Sequence, residues 1–335
     1  MATEIRQDKV SKNWIIYAPS RTQRPSSFRQ EGPEAEGLPD HEPSCPFCKG
    51  NEDQLPDILM ELQNPNITEW QTRVVPNKFP ALTQEGDTRR HLEGIYLTMP
   101  GHGVHEVIIE TPRHNRQPSR MSLEEVGAIV ETYHRRYIDL LYRHQSMMAL
   151  IFRNHGPKAG TSLIHPHSQL VVTSVVPHDV RWREQKEQRY FDDWGRCVVC
   201  EVIEHELHVH ERVIFENESF VAFVPFAAAV PFESWIVPKR HEADFGDISD
   251  PEKEDFAAAL RDMLRRLREK LNDPSYNYLI NTAARHKASE PHLHWYLQIQ
   301  PRLTTSAGFE MGSGMRINPS LPEEDAAYLN SDDAA

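Results

Sequence analysis

The stretch SLIHPHSQLVV, residues 162–172, places two histidines on either side of a proline at the start of an apolar run. Side chains two apart on a strand share a face, and proline stiffens the backbone between His165 and His167. One imidazole can then hold a metal while the other remains able to react. A neutral imidazole, with an ordinary pKa of about 6.5, is a nucleophile at physiological pH and can attack phosphorus. The spacing therefore predicts that one histidine of the pair anchors and the other reacts.

The four cysteines form two C-x-x-C pairs, CPFC at Cys45 and Cys48 and CVVC at Cys197 and Cys200. The amino-terminal residues lack the apolar stretch of a signal peptide. In such a chain these pairs are more often metal ligands or redox centres than disulfides. Each pair supplies half of a zinc site, so the interpretation depends on finding the histidines that complete it.

An internal repeat supplies those histidines. The segment EVIIETPRH, residues 106–114, aligns with ESWIVPKRH, residues 233–241, at a shift of 127 positions. HPHSQL, which begins at His165, aligns with HWYLQI, which begins at His294, at a shift of 129. Cys₂His₂ is a ligand set that tetrahedral zinc prefers. The repeat predicts two zinc sites, formed by Cys45, Cys48, His114 and His165 in the first half and by Cys197, Cys200, His241 and His294 in the second.

Two choices within the second half follow from the same alignment. His292 is the alternative to His294 as the fourth zinc ligand, because a shift of 127 from His165 gives position 292 and both histidines lie on one face of a strand. His294 is preferred because that alignment also matches Gln298 with Gln169. Tyr296 stands where the first half has His167, so we expect only the first half to be reactive.

The residues before HPH form a small loop rich in hydrogen-bond donors. The sequence NHGPKAGTSLIHPHSQ contains Asn154, the turn residue Gly160, and the hydroxyls of Thr161 and Ser162. Glycines allow backbone amides to approach phosphate oxygens closely. Beside HPH, this loop predicts a phosphate-binding site.

Length and charge exclude several classes of protein. At 335 residues and 39% hydrophobic content, the chain can bury a core of two domains or one double unit, which we divide at 1–185 and 186–335. The formal net charge of −13 argues against a broad surface for nucleic acid or anionic membrane. No apolar run reaches the roughly 18 residues of a membrane span. We therefore expect a soluble, cytoplasmic protein, and the charge leaves a small anionic ligand open.

Local signals mark helices and loops. Helical stretches after Ser122 and Ser249 open with serine and early acidic residues, as capped helices do. Residues 28–44, rich in proline and glutamate, are expected to form a surface loop. The acidic tail after about Pro322 is expected to fray.

The motifs together resemble one family. They are RTQRP at 21–25, CPFC, VVPNKFPAL at 74–82, the block 154–169, and long matches at 215–241 and 301–329. The chain resembles the galactose-1-phosphate uridylyltransferases, the transferase branch of the histidine-triad superfamily. The resemblance implies an α+β fold of two histidine-triad-like halves, with antiparallel sheets joined into one extended sheet and flanking helices. It also implies a homodimer that exchanges a nucleotidyl group between sugar phosphates by a ping-pong reaction.

Residue by residue, the resemblance assigns roles to matching positions. It makes His167 the nucleophile and Gln169 the amide that holds the phosphoryl oxygens. The remaining matches are phosphate contacts at Asn154, Gly160 and Ser162, nucleoside contacts at Asn77 and Phe79, and sugar-phosphate contacts at Arg24 and Glu310, the last contributed by the partner subunit.

Three functions stay open on the sequence. The first, which we predict on the resemblance, is exchange of UMP between UDP-glucose and galactose-1-phosphate, the activity of a UDP-glucose–hexose-1-phosphate uridylyltransferase. The second is ADP-glucose phosphorylase activity, because HPHSQ also resembles the motif of that relative, in which an adenylyl group passes to inorganic phosphate. The third is a zinc-stabilised nucleotide-binding protein without turnover, which an intact HPHSQ disfavours. Lys78 stands where some members carry aspartate beside the nucleoside, so the base is left open.

Overall fold

The computed structural model describes residues 3–19, 28, 37–64, 69–143 and 147–331. Within these residues the chain forms fifteen strands and six α-helices. The strands are β1 Glu4–Gln7, β2 Trp14–Tyr17, β3 Met60–Gln63, β4 Trp70–Pro76, β5 His91–Glu93, β6 Tyr96–Thr98, β7 Gly103–Ile109, β8 Met148–His155, β9 His167–Thr173, β10 Val213–Glu216, β11 Phe220–Phe223, β12 Ser234–Pro238, β13 Tyr276–Asn281, β14 Tyr296–Pro301 and β15 Arg316–Asn318. The helices are α1 Leu123–Arg143, α2 His178–Trp194, α3 Val198–Val209, α4 Asp250–Leu271, α5 Gly308–Ser313 and α6 Pro322–Asn330.

One large sheet carries both halves of the repeat. In the part of the chain described, its order is β10-β11-β12-β14-β13-β8-β9-β7-β4-β3, with antiparallel neighbours throughout. Five strands come from each half, and the halves meet where β8 pairs with β13. Asn154 lies opposite Asn277 at this junction. The α+β fold with antiparallel sheets joined into one extended sheet is confirmed.

One long helix from each half covers the same face of the sheet. Apolar residues of α1 recur every three or four positions, which gives the helix a buried stripe. Ser122 Oγ accepts from the Glu125 N–H at 3.2 Å, and Glu125 Oε2 accepts from the Ser122 N–H at 2.6 Å. Ser249 and Glu252 form the same capping box on α4. Both predicted helices are present, and they share one hydrophobic core with strands of both halves.

The opposite face differs between the halves. In the second half, α2 and α3 pack on this face, where Val199 and Ile203 join a cluster with Trp235 and Tyr296. In the first half, the same face carries the CPFC segment, and Phe47 packs against a cluster that includes Ile109. The face of β9 that bears His167 therefore lies under a short loop rather than under a helix.

The prediction that the acidic tail frays after about Pro322 is wrong for the residues that the structure describes. Up to Ser331 the tail does not fray after Pro322, because α6 continues to Asn330 and buries Ala326 and Leu329 completely, and the last four residues of the predicted tail lie outside the described residues. Arg266 Nη1 also donates to the Leu329 carbonyl at 2.9 Å. The amphipathic contact of α6 with the core outweighs its acidic composition.

The predicted loop at 28–44 is correct for its described residues 37–44, which form neither helix nor strand. Its first residue is an exception, because Phe28 is buried with its ring centroid 6.0 Å from that of Phe232. The predicted division at residue 185 falls within α2 and stays a prediction. Among the described helices, none combines the length and the apolarity that crossing a bilayer requires.

Candidate active site and metal centres

The ring of His167 is held in one orientation and one tautomer. His167 begins β9, and its Nδ1–H donates to the His165 carbonyl oxygen at 2.8 Å. A carbonyl can only accept, so the proton sits on Nδ1 and the lone pair on Nε2 is available. Burial lowers the pKa of His167, which keeps the ring neutral at physiological pH. The Phe47 ring packs edge-on against it, with centroids 5.4 Å apart.

Gln169 lies two residues further along the same face of β9. Its Oε1 accepts a hydrogen bond from His105 Nε2–H at 2.8 Å, and His105 Nδ1 accepts from the Ala81 N–H at 3.1 Å. The sequence reasoning missed His105, which precedes the repeat segment 106–114 by one residue. Alternation along β7 is the signal that places His105 on the face of Val107 and Ile109.

The segment predicted to line the nucleoside, which contains Asn77 and Phe79, is hydrogen-bonded to His105. The Asn77 N–H donates to the His105 carbonyl at 2.9 Å, and the Phe79 N–H donates to Asn77 Oδ1 at 2.8 Å. The Phe79 ring is 83% exposed, which leaves its face open to stacking. The structure thus places Asn77 in contact with His105, the hydrogen-bond partner of Gln169.

Asn154 lies on β8, which pairs with β9, the strand of His167. Phe152 pairs with Gln169, and continuing this antiparallel register sets Asn154 opposite His167. Asn154 Oδ1 accepts from Asn277 Nδ2 at 2.7 Å. A residue of the second half therefore orients a side chain of the first half's site.

The loop between β8 and β9 has the form expected of a phosphate-binding loop. Gly160 adopts φ +84°, a left-handed conformation that favours glycine. The Thr161 hydroxyl donates to the Leu163 carbonyl at 3.0 Å, so it closes the loop, while Ser162 is exposed. Contacts of these residues with phosphate stay predictions.

Of the two residues predicted to contact the sugar phosphate, the structure describes only Glu310. Arg24 lies outside the described residues. Glu310 belongs to α5, where its carboxylate accepts from the Ala307 N–H at 3.0 Å and from the Ile317 N–H at 3.2 Å. Within this chain Glu310 therefore orders the loop around α5, and a contact with a partner's substrate stays a prediction.

Behind β9, a buried ion pair lies between the sheet and α1. Arg153 Nε donates to Glu110 Oε2 at 3.0 Å, and Arg153 Nη2 donates to Gln117 Oε1 at 2.7 Å. The Tyr133 hydroxyl donates to Glu110 Oε1 at 3.1 Å and lies 2.6 Å from the Tyr278 hydroxyl. The sequence reasoning did not find this network, because its members lie far apart in the chain.

The structure brings together the four predicted ligands of the first half. The donor atoms of Cys45, Cys48, His114 and His165 lie within 4.8 Å of one another, and all four residues are buried. His165 Nε2–H donates to the Thr111 carbonyl at 2.8 Å, which turns the Nδ1 lone pair towards the two thiols. Burial raises the pKa of the Cys45 thiol to about 11, so a thiolate there needs a cation beside it. The donor set fits a tetrahedral metal ion.

The second cluster repeats this geometry. It consists of Cys197, Cys200, His241 and His294, with donor atoms again within 4.8 Å. His294 Nε2–H donates to the Pro238 carbonyl at 3.0 Å, and its Nδ1 lies 3.4 Å from Cys200 Sγ. His292 is buried outside this cluster, with Nδ1 3.6 Å from the Glu290 carboxylate. The geometry therefore places His294, not His292, among the four candidate ligands.

The duplicated antiparallel sheet carries a buried histidine, His167, beside a glycine-containing loop in its first half and Tyr296 at the matching position of its second half. The family model for the N-terminal domain of galactose-1-phosphate uridyl transferase matches residues 1–177, and that for its C-terminal domain matches residues 183–329. The chain belongs to the galactose-1-phosphate uridyl transferase family and is a nucleotidyltransferase of that family.

Named relatives fall into two groups. ADP-glucose phosphorylase of Arabidopsis thaliana is 38% identical over 97% of this chain and 92% of its own length. Galactose-1-phosphate uridylyltransferase of Thermotoga maritima is 28% identical over 97% of each chain. Among solved structures, the Arabidopsis thaliana ADP-glucose phosphorylase with bound ADP-glucose matches all of both chains with a TM-score of 0.83 and 34% identity. A uridylyltransferase structure matches 98% of this chain and 97% of its own with a TM-score of 0.75 and 28% identity.

Proposed function

We propose that this chain transfers the nucleotidyl group of a nucleoside diphosphate sugar through a covalent intermediate on His167. The observation that carries the proposal is the hydrogen bond from His167 Nδ1–H to the His165 carbonyl, which leaves Nε2 as the nucleophile. The fixed tautomer, together with burial, prepares the ring for attack on phosphorus.

The reaction consists of two displacements at one phosphorus atom. His167 Nε2 attacks the α-phosphorus, a P–N bond forms, and the P–O bond to the sugar phosphate breaks, which releases hexose-1-phosphate. The oxygen of an acceptor phosphate then attacks the same phosphorus and breaks the P–N bond. Gln169 and the Asn154–Ser162 loop donate hydrogen bonds to the phosphoryl oxygens as charge develops.

We favour ADP-glucose as the donor and inorganic phosphate as the acceptor. The chain is 38% identical to an ADP-glucose phosphorylase over nearly its whole length, against 28% for a galactose-1-phosphate uridylyltransferase. The structural comparison ranks the two groups in the same order.

The second candidate is exchange of UMP between UDP-glucose and galactose-1-phosphate. The two family models that match this chain support it. The two candidates share the step at His167 and differ in the base and the acceptor. They are therefore separated by substrate rather than by mechanism.

The two Cys₂His₂ clusters are proposed to bind zinc, two ions per chain. In the first half, zinc would hold His165, and through its backbone carbonyl it would fix the ring of His167. Its contribution is structural, because all four ligands come from the protein. The proposal also includes a homodimer in which Arg24 and Glu310 approach sugar phosphate.

Intact mass spectrometry after incubation with ADP-glucose or UDP-glucose tests the function. An adenylyl adduct on His167 supports the phosphorylase, and a uridylyl adduct supports the transferase. His167→Gly should abolish the adduct, and initial rates should give parallel-line patterns. The absence of any adduct, or an adduct that persists in His167→Gly, would contradict the mechanism.

A further inference from the structure

His105 and Gln169 face each other diagonally across two neighbouring strands. His105 of β7 pairs with Val171 of β9, and Val107 pairs with Gln169. Diagonal neighbours on one face of a sheet come within reach of long side chains. Because both lie on the same face as His167, any constraint on Gln169 acts inside the proposed active site.

The hydrogen bonds of His105 determine the orientation of the Gln169 side-chain carboxamide. The Ala81 N–H can only donate, so His105 Nδ1 accepts and the proton of the neutral ring lies on Nε2. Two side chains approach Nε2: Asn77 Nδ2, 3.1 Å away, has no lone pair with which to accept this proton, whereas Gln169 Oε1, 2.8 Å away, can accept it. The carboxamide oxygen is thereby occupied, and the NH₂ group becomes the donor end of Gln169.

The second half shows the opposite arrangement at the matching glutamine. Gln298 corresponds to Gln169, and its Nε2 donates to Glu233 Oε1 at 2.6 Å. Trp235 Nε1 donates to the same carboxylate oxygen at 3.0 Å. In the half without the reactive histidine, the glutamine NH₂ is bound within the protein.

We propose that His105 is a positioning residue that keeps the carboxamide NH₂ of Gln169 directed at the phosphoryl oxygens of the substrate. This inference rests on the proposed function, because it needs a phosphoryl group beside His167. The orientation matters because the two ends of a carboxamide are nearly equal in size and opposite in hydrogen bonding. A reversed Gln169 would present its oxygen to the phosphate and repel it.

His105 also links this orientation to the nucleoside segment. Its backbone carbonyl accepts from the Asn77 N–H at 2.9 Å, and its ring accepts from the Ala81 N–H. The loop that precedes and follows Phe79 is therefore bonded to the residue that sets Gln169. A base bound against this loop and a phosphate bound by Gln169 are held in register by one histidine.

The test compares four chains: wild type, His105→Leu, Gln169→Ala and the double variant. The measured quantity is the single-turnover rate of adduct formation from whichever nucleotide sugar labels the wild type, ADP-glucose or UDP-glucose. His105→Leu should lower this rate about 10-fold, as loss of one oriented hydrogen bond does, with KM changed less than about twofold. In the Gln169→Ala background, His105→Leu should have little further effect, because the group that it positions is gone.

Two further variants separate positioning from folding. His105→Gln retains a donor near the Nε2 position and should recover most of the rate. His102→Leu makes the same exchange just before β7 and should leave the rate unchanged. Additive effects in the double variant, a change confined to KM, or no recovery in His105→Gln would each overturn the role of His105. A wild-type chain that forms no adduct would instead overturn the proposed function, and the positioning role with it.

Discussion

Arg153 and Glu110 form a fully buried ion pair directly behind β9, the strand of His167. Burial alone would lower the pKa of Arg153, but the charge of Glu110 reverses this and the pKa is raised. At the matching position of the second half, strand β13 carries Ile280, which lies in the hydrophobic core. The sheet therefore accepts an apolar residue here, and the ion pair is particular to the half that carries His167.

Replacing Arg153 with methionine should leave the Glu110 carboxylate buried without its charge partner. Breaking such a pair on one side costs about 3–5 kcal/mol. Urea unfolding at pH 7 should show a correspondingly lower midpoint. The control is Arg265→Met, which removes the solvent-exposed guanidinium that pairs with Asp262 and Glu269 and should cost at most about 1 kcal/mol. Equal losses in the two variants would contradict the assignment.

Single residues were predictable from the sequence where a pattern repeated them. The four ligands of each metal cluster were found because both halves carry a C-x-x-C pair followed by two histidines, with shifts of 127 and 129 positions for the histidines and 152 for the cysteines. His105 was not found, because one histidine in an apolar strand gives no sign of its neighbour until the register of β7 against β9 is known. Arg153 was missed for the same reason, since its partner lies 43 positions away in the chain.

At the scale of elements, α6 is held by a buried carboxylate. Asp325 accepts hydrogen bonds from the Ser320 hydroxyl and from the Phe232 N–H, the latter at 2.8 Å. Burial raises the pKa of Asp325 to about 7. Between the unfolded value of about 3.9 and this folded value, the folded chain holds a proton that the unfolded chain has lost. The contribution of Asp325 to stability therefore falls as pH rises across this window.

Asp325→Asn should remove that dependence, because the amide stays neutral and can still accept from Phe232. Urea midpoints of wild type and variant, measured at pH 5 and pH 8, test this. The variant should gain stability relative to wild type between the two values. A difference that is the same at both would show that Asp325 does not titrate in this range.

The two metal-binding elements differ in exposure. All four residues of the first cluster are buried, whereas in the second His241 is exposed and Cys200 is partly exposed. If both hold zinc, a chelator should remove the ion of the second half first. Metal release followed with a chromogenic indicator should show two phases, and Cys200→Ser should eliminate the faster one. Elimination of the slower phase by Cys200→Ser would contradict the assignment.

Elements were predictable where local signals matched their surroundings. The capping serines of α1 and α4 fix helix starts by bonds within one turn, so the sequence alone predicts them. Whether the α6 segment packs on the core depends on contacts with residues far away in the chain, such as Arg266, and local composition does not reveal these contacts. A segment that looks acidic and terminal can therefore still belong to the core.

In the whole molecule, the two halves share one interior. The β8–β13 ladder joins them, and the largest hydrophobic cluster contains residues of both, such as Ile151 and Ile280. We therefore expect one cooperative unfolding transition. Tryptophan fluorescence from Trp70 and from Trp295, read in variants that retain one or the other, should give coincident urea midpoints. Separate midpoints would mean that the halves unfold independently.

The same ladder determines when β8 can pair with its neighbour β13 during synthesis of the chain. His155 pairs with Tyr276, which emerges from the ribosome 121 residues later. At roughly 5–20 residues per second, the backbone of β8 waits on the order of ten seconds for its partner. During that time the first half presents an unpaired strand edge to the cell, and edges of this kind invite pairing with other chains. The junction that later unites the molecule is thus an edge open to aggregation while the chain is being made.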